Sequence, residues 1–446
     1  MTGASDRKED KTKRSRIKEK ARALFGFQAK SDNSDTRVES LETSHDRLQS
    51  TLKYQALDAT ASQIRLLRMG TSSENLGIEG SIRTFDLINA PPYKALSYVW
   101  GSEGDERNIT IDGQTLKIRR NLYDFLGCST GKCEHIQCKY FPCDPELFAN
   151  TYFWIDQICI DQQSTSERNH QVQLMSQIYR RAERVIAWLG DDDLHVYNAL
   201  CEIKSRAQTG MQTEIDHMIA RRAAHDLGAS PYWTRLWIAQ ELLLARDIIL
   251  MCGTICLEWK ELQAFGREGT KYHHWAAMKQ DGQMAKFLLC RWEDTITELD
   301  DLETLLRNFS ANLCSDPRDK VYGLLGILSN SEGLVPDYSK TVMEVFEDAS
   351  AYLFMIFISK AGAKAPQRRL DIIDSAMRLG EKMDLIKPPL PQEQDSDRSE
   401  LLSRCERIFQ MQFERYSEVA EAQKDWPMQP LRQNVPVDRE CSDYFS

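Results

Sequence analysis

Three short apolar runs constrain the fold of this chain most strongly. They span residues 93–100, 152–156 and 184–189. Apolar runs of this length, without strict alternation, are typical of strands that are buried on both faces of a sheet. A helical pattern separates the second run from the third. The order strand, helix, strand therefore predicts a right-handed crossover and a parallel sheet.

That helical pattern has a clear beginning. Ser164 stands three residues before Glu167, in the Ser-x-x-Glu spacing of a capping box. Upstream, residues 64–69 and 82–87 are predicted as short strands, and residues 108–118 as a hairpin. We therefore expect an α/β fold with a mostly parallel sheet flanked by helices.

Composition divides the rest of the chain. We expect an α/β core over 64–255, with an inserted Cys-rich loop at 128–150. Residues 256–358 predict a helical continuation of this core. Residues 360–446 are rich in charge and proline, so we expect a poorly packed, largely irregular extension with one helix at about 401–413.

The N-terminal residues 1–55 are polar and include a dense basic stretch over 11–22. A disordered, solvated tail explains this stretch. Two alternatives stay open, a nuclear-import signal and a patch that binds anionic membranes.

Charge and hydropathy exclude several classes of protein. The chain carries 57 Lys and Arg against 67 Asp and Glu, a net charge of −10, which argues against nucleic-acid binding. The longest apolar run, 352–358, is far below the roughly 20 residues of a membrane helix. The first residues are polar, so we expect no secretory segment. The 12 cysteines are then expected to be reduced thiols in the cytoplasm or nucleus.

Asp156 is the first candidate for a functional side chain, because ligands of parallel sheets bind at the carboxyl ends of the strands. A carboxylate there binds a ribose hydroxyl or a cation, or it caps the following turn. Both interpretations fit the sequence. Nearby Cys159 lies between two isoleucines and is expected to be a buried apolar residue.

Glu241 is the second candidate. Ser230-Pro231 predicts the start of a helix that runs to about residue 246. On such a helix Trp233, Trp237 and Glu241 share one face. Two neighbouring indoles would desolvate the carboxylate and raise its pKa, which suits general acid–base catalysis. The alternative is that Glu241 forms an internal salt bridge, with Arg235 or with another arginine.

Two weaker patterns remain. Trp100-Gly101 follows the first buried run, and a glycine turn there can bring backbone N–H groups close to a phosphate, although it matches no nucleotide-binding motif. We take Trp100, Gly101, Arg235 and Trp237 as candidate ligand-binding residues. A zinc site is a minor alternative to free thiols for four cysteines spaced by five residues, which are Cys128, Cys133, Cys138 and Cys143.

An ordered series of motifs resembles the fungal heterokaryon-incompatibility (HET) domain over roughly residues 64–350. The motifs, in one-letter code, are YKALSYVWG at 93–101, FWIDQICIDQ at 153–162, RLW with QE at 235–241, DPRDKVYGLLG at 316–326 and PDY at 336–338. Two features depart from the family: Asp161 stands where an asparagine is usual, and the Cys-rich stretch is an insertion.

The resemblance implies a protein of fungal non-self recognition and programmed cell death, acting by assembly with itself or with another incompatibility protein. It also implies a flavodoxin-like fold similar to that of Toll/interleukin-receptor (TIR) domains. Some TIR domains cleave NAD with a glutamate on a helix. By this analogy between folds, an alternative function is an NAD glycohydrolase with Glu241 or Glu167 as the catalytic carboxylate and NAD as the substrate. The capping position of Glu167 explains that residue without catalysis.

Overall fold

The computed structural model describes residues 52–70, 77–131, 145–209, 213–271, 301–328, 331, 333–386 and 396–424. Within this part of the chain, nine strands form one sheet in the order β5-β4-β2-β1-β6-β3-β7-β8-β9. The strands are β1 (Gln63–Met69), β2 (Glu79–Asp86), β3 (Tyr93–Tyr98), β4 (Glu106–Ile111), β5 (Gln114–Arg119), β6 (Tyr152–Trp154), β7 (Arg184–Trp188), β8 (Ile248–Cys252) and β9 (Ile255–Glu258).

The four inner strands β6, β3, β7 and β8 are parallel to one another. Numbered along the chain from β3, their order across the sheet is 2-1-3-4. After β3 the chain therefore forms β6 on one side of it, crosses over β3, and then forms β7 and β8 on its other side. Among the outer pairs, β1 with β2, β1 with β6, β4 with β5 and β8 with β9 are antiparallel, whereas β2 with β4 is parallel. The sheet is thus mixed, and the expected parallel arrangement is confirmed at its centre.

Both faces of the central strand are covered. All six residues of β3 are buried, as its continuous apolar run predicts. Since side chains alternate along a strand, Lys94, Leu96 and Tyr98 lie on one face, called the Lys94 face. Ser97 lies on the opposite face, called the Ser97 face.

The described part of the chain also contains α-helices, and the last three pack on one another. They are α1 (Arg120–Ser129), α2 (Pro145–Phe148), α3 (Asp156–Cys159), α4 (Thr165–Arg181), α5 (Leu194–Thr209), α6 (Glu214–Gly228), α7 (Ile238–Leu243), α8 (Trp259–Lys271), α9 (Leu302–Phe309), α10 (Asp319–Leu325), α11 (Val342–Ala361), α12 (Arg369–Lys382) and α13 (Ser396–Lys424). None of them combines the length and apolarity needed to cross a membrane.

Helices α1 and α4 pack on opposite faces. On the Lys94 face, the ring of Phe125 in α1 lies 5.5 Å from that of Trp188. On the Ser97 face, the ring of Tyr179 in α4 lies 5.6 Å from that of Trp154. The Tyr93 hydroxyl donates to a carbonyl of α4 on the same face. This layout is the one that right-handed crossovers on either side of β3 produce.

Local signals in the sequence are confirmed at two turns. Ser164 caps α4, its hydroxyl accepting a hydrogen bond from the Glu167 amide at 3.2 Å. The predicted hairpin turns at Asp112 and Gly113, whose φ angles are 48° and 77°. Two successive residues in the left-handed region give the twist that a two-residue hairpin needs.

The predicted helix from residue 230 to 246 is wrong. A short 3-10 turn spans Pro231–Thr234, an extended segment follows, and α7 begins only at Ile238. The cause is a tertiary contact. The Leu313 amide donates to the Thr234 carbonyl at 2.5 Å, and the Leu236 amide donates to the Leu313 carbonyl at 2.9 Å. Upstream of this break, helices α5 and α6 follow one another, and Thr213 caps α6.

The C-terminal region is more ordered than its composition suggests. Instead of one helix in an irregular extension, the described residues beyond 360 form α12 and α13. The predicted helix at 401–413 is confirmed and is longer. It packs on α11, where the rings of Phe354 and Phe409 lie 5.6 Å apart. Residues 387–395 and 425–446 lie outside the described part of the chain, as does the basic N-terminal stretch.

Candidate functional site

The carboxyl ends of β3 and β6 bring the two predicted carboxylates into one polar cluster. Asp156 begins α3 just after β6, and Glu241 lies in α7. The Arg235 guanidinium, from the extended segment before α7, attracts both carboxylates. Together with the hydroxyls of Ser97 and Tyr232, these residues are called the Arg235 cluster.

The Glu241 carboxylate is enclosed within this cluster. It is only 2% exposed. The Ser97 hydroxyl donates to it, and the guanidinium of Arg235 lies 3.3 Å away. The Tyr232 hydroxyl lies 2.6 Å from that of Ser97. The predicted salt bridge between Arg235 and Glu241 is therefore confirmed.

Only one of the two tryptophans keeps its expected helical spacing to Glu241. The Glu241 amide donates to the Trp237 carbonyl at 3.2 Å, whereas Trp233 lies in the 3-10 turn before the break. Because the predicted helix is broken, their side chains point to other partners. The Trp233 indole donates to the Leu227 carbonyl at 2.8 Å. The Trp237 indole donates to the Asp319 carboxylate at 3.0 Å. Burial raises the pKa of Glu241, in the direction that the sequence predicted.

Asp156 is less deeply enclosed. It is half-buried, and its carboxylate accepts hydrogen bonds at 2.7 Å from the Trp100 indole and from the Gln157 amide. The second bond is a local contact with the next backbone amide, although the N-cap residue of α3 is Ile155. The first ties Asp156 to the turn that follows β3. The carboxylate thus links the ends of two neighbouring parallel strands.

Burial controls the protonation of this cluster. It raises the pKa of Glu241 above its ordinary value, and the attraction of Arg235 opposes that rise. It also raises the pKa of Asp156, and Arg235 again opposes it. One cation therefore stabilises two acids that repel each other. When all three are ionised, the cluster has a net charge of −1.

The candidate ligand-binding turn at Trp100 and Gly101 is tied down by polar contacts. Gly101 has a φ of 85°, in the left-handed region that favours glycine. The Arg119 guanidinium lies 5.2 Å from the Trp100 ring centre and donates to the Gly101 carbonyl at 2.7 Å. Asn121 donates to the Val99 carbonyl at 2.5 Å. These contacts fix the position of the turn beside Asp156.

Glu167 has a different environment. Its carboxylate forms a two-pronged ion pair with Arg65, at 2.5 and 3.0 Å, and accepts from the Asp161 amide at 2.7 Å. Ser164 caps the helix, but the carboxylate turns to Arg65 instead of back to the cap. The ion pair is buried, with side chains 2% and 9% exposed. Glu167 therefore joins β1 to α4 and takes no part in the Arg235 cluster.

The proposed cysteine set falls mostly outside the described residues. Cys128 is buried in α1, whereas Cys133, Cys138 and Cys143 lie in the undescribed stretch 132–144. Within the residues that the structure does describe, no group of three or more His, Cys, Asp or Glu side chains is arranged to hold a metal ion.

The sequence analysis missed Ser97, Tyr232 and Asp319. Ser97 had a detectable signal, since it is a polar residue inside a fully buried strand, and such residues need partners. Asp319 accepts from Trp237 and, at 2.6 Å, from the Tyr338 hydroxyl. Burial raises the pKa of Asp319 to about 6. It therefore joins the segment before α7 to residues far downstream.

Comparison with known proteins gives two matches. A family model described as "Heterokaryon incompatibility protein (HET)" matches residues 93–241, from the first residue of β3 to Glu241. "Heterokaryon incompatibility protein 6, OR allele" of Neurospora crassa is 27% identical over 359 residues, covering 65% of this chain and 52% of the relative. The chain thus spans about half the length of that relative. No solved structure matches. Residues 93–241 therefore form a HET domain, and the chain is homologous to a heterokaryon incompatibility protein.

Proposed function

We propose that this chain acts in fungal non-self recognition and in the programmed death of incompatible fusions, by assembly with itself or with another incompatibility protein. The HET match and the Neurospora relative support the role. The enclosure of Glu241 supports assembly over catalysis. Its carboxylate is 2% exposed and occupied by Ser97 and Arg235, as in a structural ion pair.

The strand order supports the more detailed fold assignment. The order 2-1-3-4 of the inner strands is the first part of the flavodoxin-like order. We propose that the core is TIR-like in this sense, with the outer antiparallel strands added around it. A soluble cytoplasmic location is part of the same proposal. Deleting residues 1–30 tests it, because a nuclear signal over 11–22 would make location depend on that segment.

Induced expression in a fungal host tests assembly against catalysis. Viability and cellular NAD are followed in the same culture for the wild-type chain, Glu241→Gln and the control Glu406→Gln, an exposed residue of α13. We expect all three to kill, with NAD unchanged before death. Loss of killing by a folded Glu241→Gln variant alone, with NAD falling first in the wild type, would overturn assembly.

NAD cleavage is the second candidate, and one observation favours it. Asp156, Arg235 and Trp100 are each partly exposed beside Glu241. Burial raises the pKa of Glu241. A ribose hydroxyl bound at Asp156 would bring a glycosidic bond near this carboxylate. Purified chain should then consume NAD, and Asp156→Asn should reduce that rate while the fold is retained. A wild-type chain that leaves NAD intact, including at high protein concentration, would exclude this candidate.

A further inference from the structure

Helix α13 runs alongside α11 in the same direction. Arg404 of α13 pairs with Glu347 of α11 at 2.7 Å. Further along both helices, the Phe409 ring of α13 lies 5.6 Å from the Phe354 ring of α11. Contacts thus advance together along the two helices, so their carboxyl-terminal halves lie side by side.

The second half of α13 is poorly covered by this packing. Helix α11 ends at Ala361, and the next residue, Gly362, lies beside the Tyr416 hydroxyl. Helix α13 continues from there to Lys424. All residues over 410–420 are described, and none of them is buried. This half of the helix therefore has little of the tertiary packing that normally stabilises a helix in water.

Four exposed residues form one stripe along this half. Met411, Arg415, Glu418 and Val419 stand at positions i, i+4, i+7 and i+8, so they share one helix face. We call them the α13 stripe. The two apolar members, Met411 and Val419, are 58% and 52% exposed. A partner that removes these side chains from water would stabilise the helix.

The two charged members of the stripe identify that partner. Two helices that pack antiparallel about an axis between residues 416 and 417 place Arg415 opposite Glu418 of the partner subunit, and the same contact occurs twice. A parallel pair would place like charges opposite each other. Glu418 also stands four residues after Glu414, a spacing at which like charges destabilise a helix. A guanidinium from a second copy relieves that repulsion.

We propose that two copies of this chain pair antiparallel through the α13 stripe, with two ion pairs between Arg415 and Glu418 and with Met411 and Val419 covered on either side of them. The proposal rests on the proposed function, since it names a surface for assembly of the chain with itself. The stripe is smaller than the interface of a stable dimer, roughly 1,200–2,000 Å². We therefore expect a dimer that dissociates at micromolar concentrations.

Sedimentation equilibrium of the full chain, from micromolar to several hundred micromolar, tests the pairing. The wild type should show a monomer–dimer equilibrium. Arg415→Glu should weaken the dimer at least about tenfold, because like charges then face each other twice. Lys382→Glu makes the same charge change at an exposed position of α12 and is the matched control, which should dimerise like the wild type. A monomer at every concentration, or an unchanged dimer in Arg415→Glu, would overturn the proposal.

Mixing two single variants separates pairing from local effects within the helix. Arg415→Glu and Glu418→Arg should each be largely monomeric alone. Their mixture should form a heterodimer with about the wild-type affinity, since every opposed pair then combines a cation with a carboxylate. A merely weakened helix end in either variant could not be rescued in this way. Absence of the heterodimer would contradict antiparallel pairing through these residues.

Expression in the fungal host separates this proposal from the proposed function. A wild-type chain that is monomeric and still kills would overturn the α13 pairing and leave the role in cell death standing, with another incompatibility protein as the partner. A wild-type chain that dimerises as described but does not kill would support the pairing and contradict the role in cell death.

Discussion

Replacing Arg235 with methionine removes the cation that Glu241 and Asp156 share. Methionine keeps an unbranched side chain of similar length, so packing changes little while the charge disappears. The Glu241 carboxylate is 2% exposed and would keep the hydrogen bond from the Ser97 hydroxyl but lose its cation. Removing one partner of a buried ion pair typically costs about 3–5 kcal/mol of unfolding free energy. We expect a loss of this size near pH 8.

The loss should depend on pH with a definite sign. Burial already raises the pKa of Glu241, and Arg235 opposes that rise. Without the guanidinium, the pKa of the folded state rises further above the unfolded value. The folded variant then binds a proton more tightly than the unfolded chain, so its stability increases as pH falls. The slope is at most about 1.4 kcal/mol per pH unit for one group. The defect of Arg235→Met should therefore shrink toward pH 5.5.

Urea unfolding at pH 5.5 and pH 8 measures this effect. The variants are Arg235→Met, Glu241→Gln and the double variant, with Arg307→Met as the control because its ion pair with Glu303 is largely exposed. We expect the control to cost less than about 1 kcal/mol. The double variant should be more stable than the two single losses predict, by about 2 kcal/mol. An Arg235→Met cost as small as the control's, or equal at both pH values, would refute the reasoning.

Three further predictions concern single positions. Burial raises the pKa of Asp319 to about 6, so its contribution to stability should fall by about 2 kcal/mol as pH rises from 4 to 6.5. Asp319→Asn should lack this pH-dependent component when urea unfolding of variant and wild type is compared across that range. Phe125→Ala removes a ring that is 0% exposed and packs on Trp188, and should cost about 3–5 kcal/mol by the same assay at every pH; a cost below about 1 kcal/mol would contradict the packing. Gly113→Ala places a side chain at a φ of 77° and should lower stability by about 1 kcal/mol, whereas no change would indicate a different turn.

The inner strands were predictable because a strand that is buried on both faces needs a continuous run of apolar residues. The run at 93–98 is buried throughout, and Ser164 marks the start of α4. Asp156, Arg235 and Glu241 were also identified, and the structure places them in one cluster. Asp156 followed from a general rule about strand ends, and the salt bridge of Glu241 with Arg235 was one of the two alternatives that the sequence left open.

The break before α7 could not be predicted from local sequence. It depends on Leu313 and Asn312, nearly 80 residues downstream, whose backbone and amide groups bond to residues 233–236. A local pattern carries no information about such a distant partner. Helix α12 was missed for another reason. Its charged side chains include an i,i+4 ion pair, Arg378 with Asp374, that supports a helix.

The contact between Leu313 and the segment before α7 makes the HET domain depend on residues outside the family match. The family match ends at Glu241, yet the backbone that positions Glu241 is paired with residues about 70 positions later. Arg65 and Glu167 make a similar link to the strands upstream of the match. A gene fusion that moved only residues 93–241 into another protein would leave these partners behind. Recombination between genes that encode a HET domain should therefore preserve a longer block, at least from Arg65 to Tyr338, as one unit.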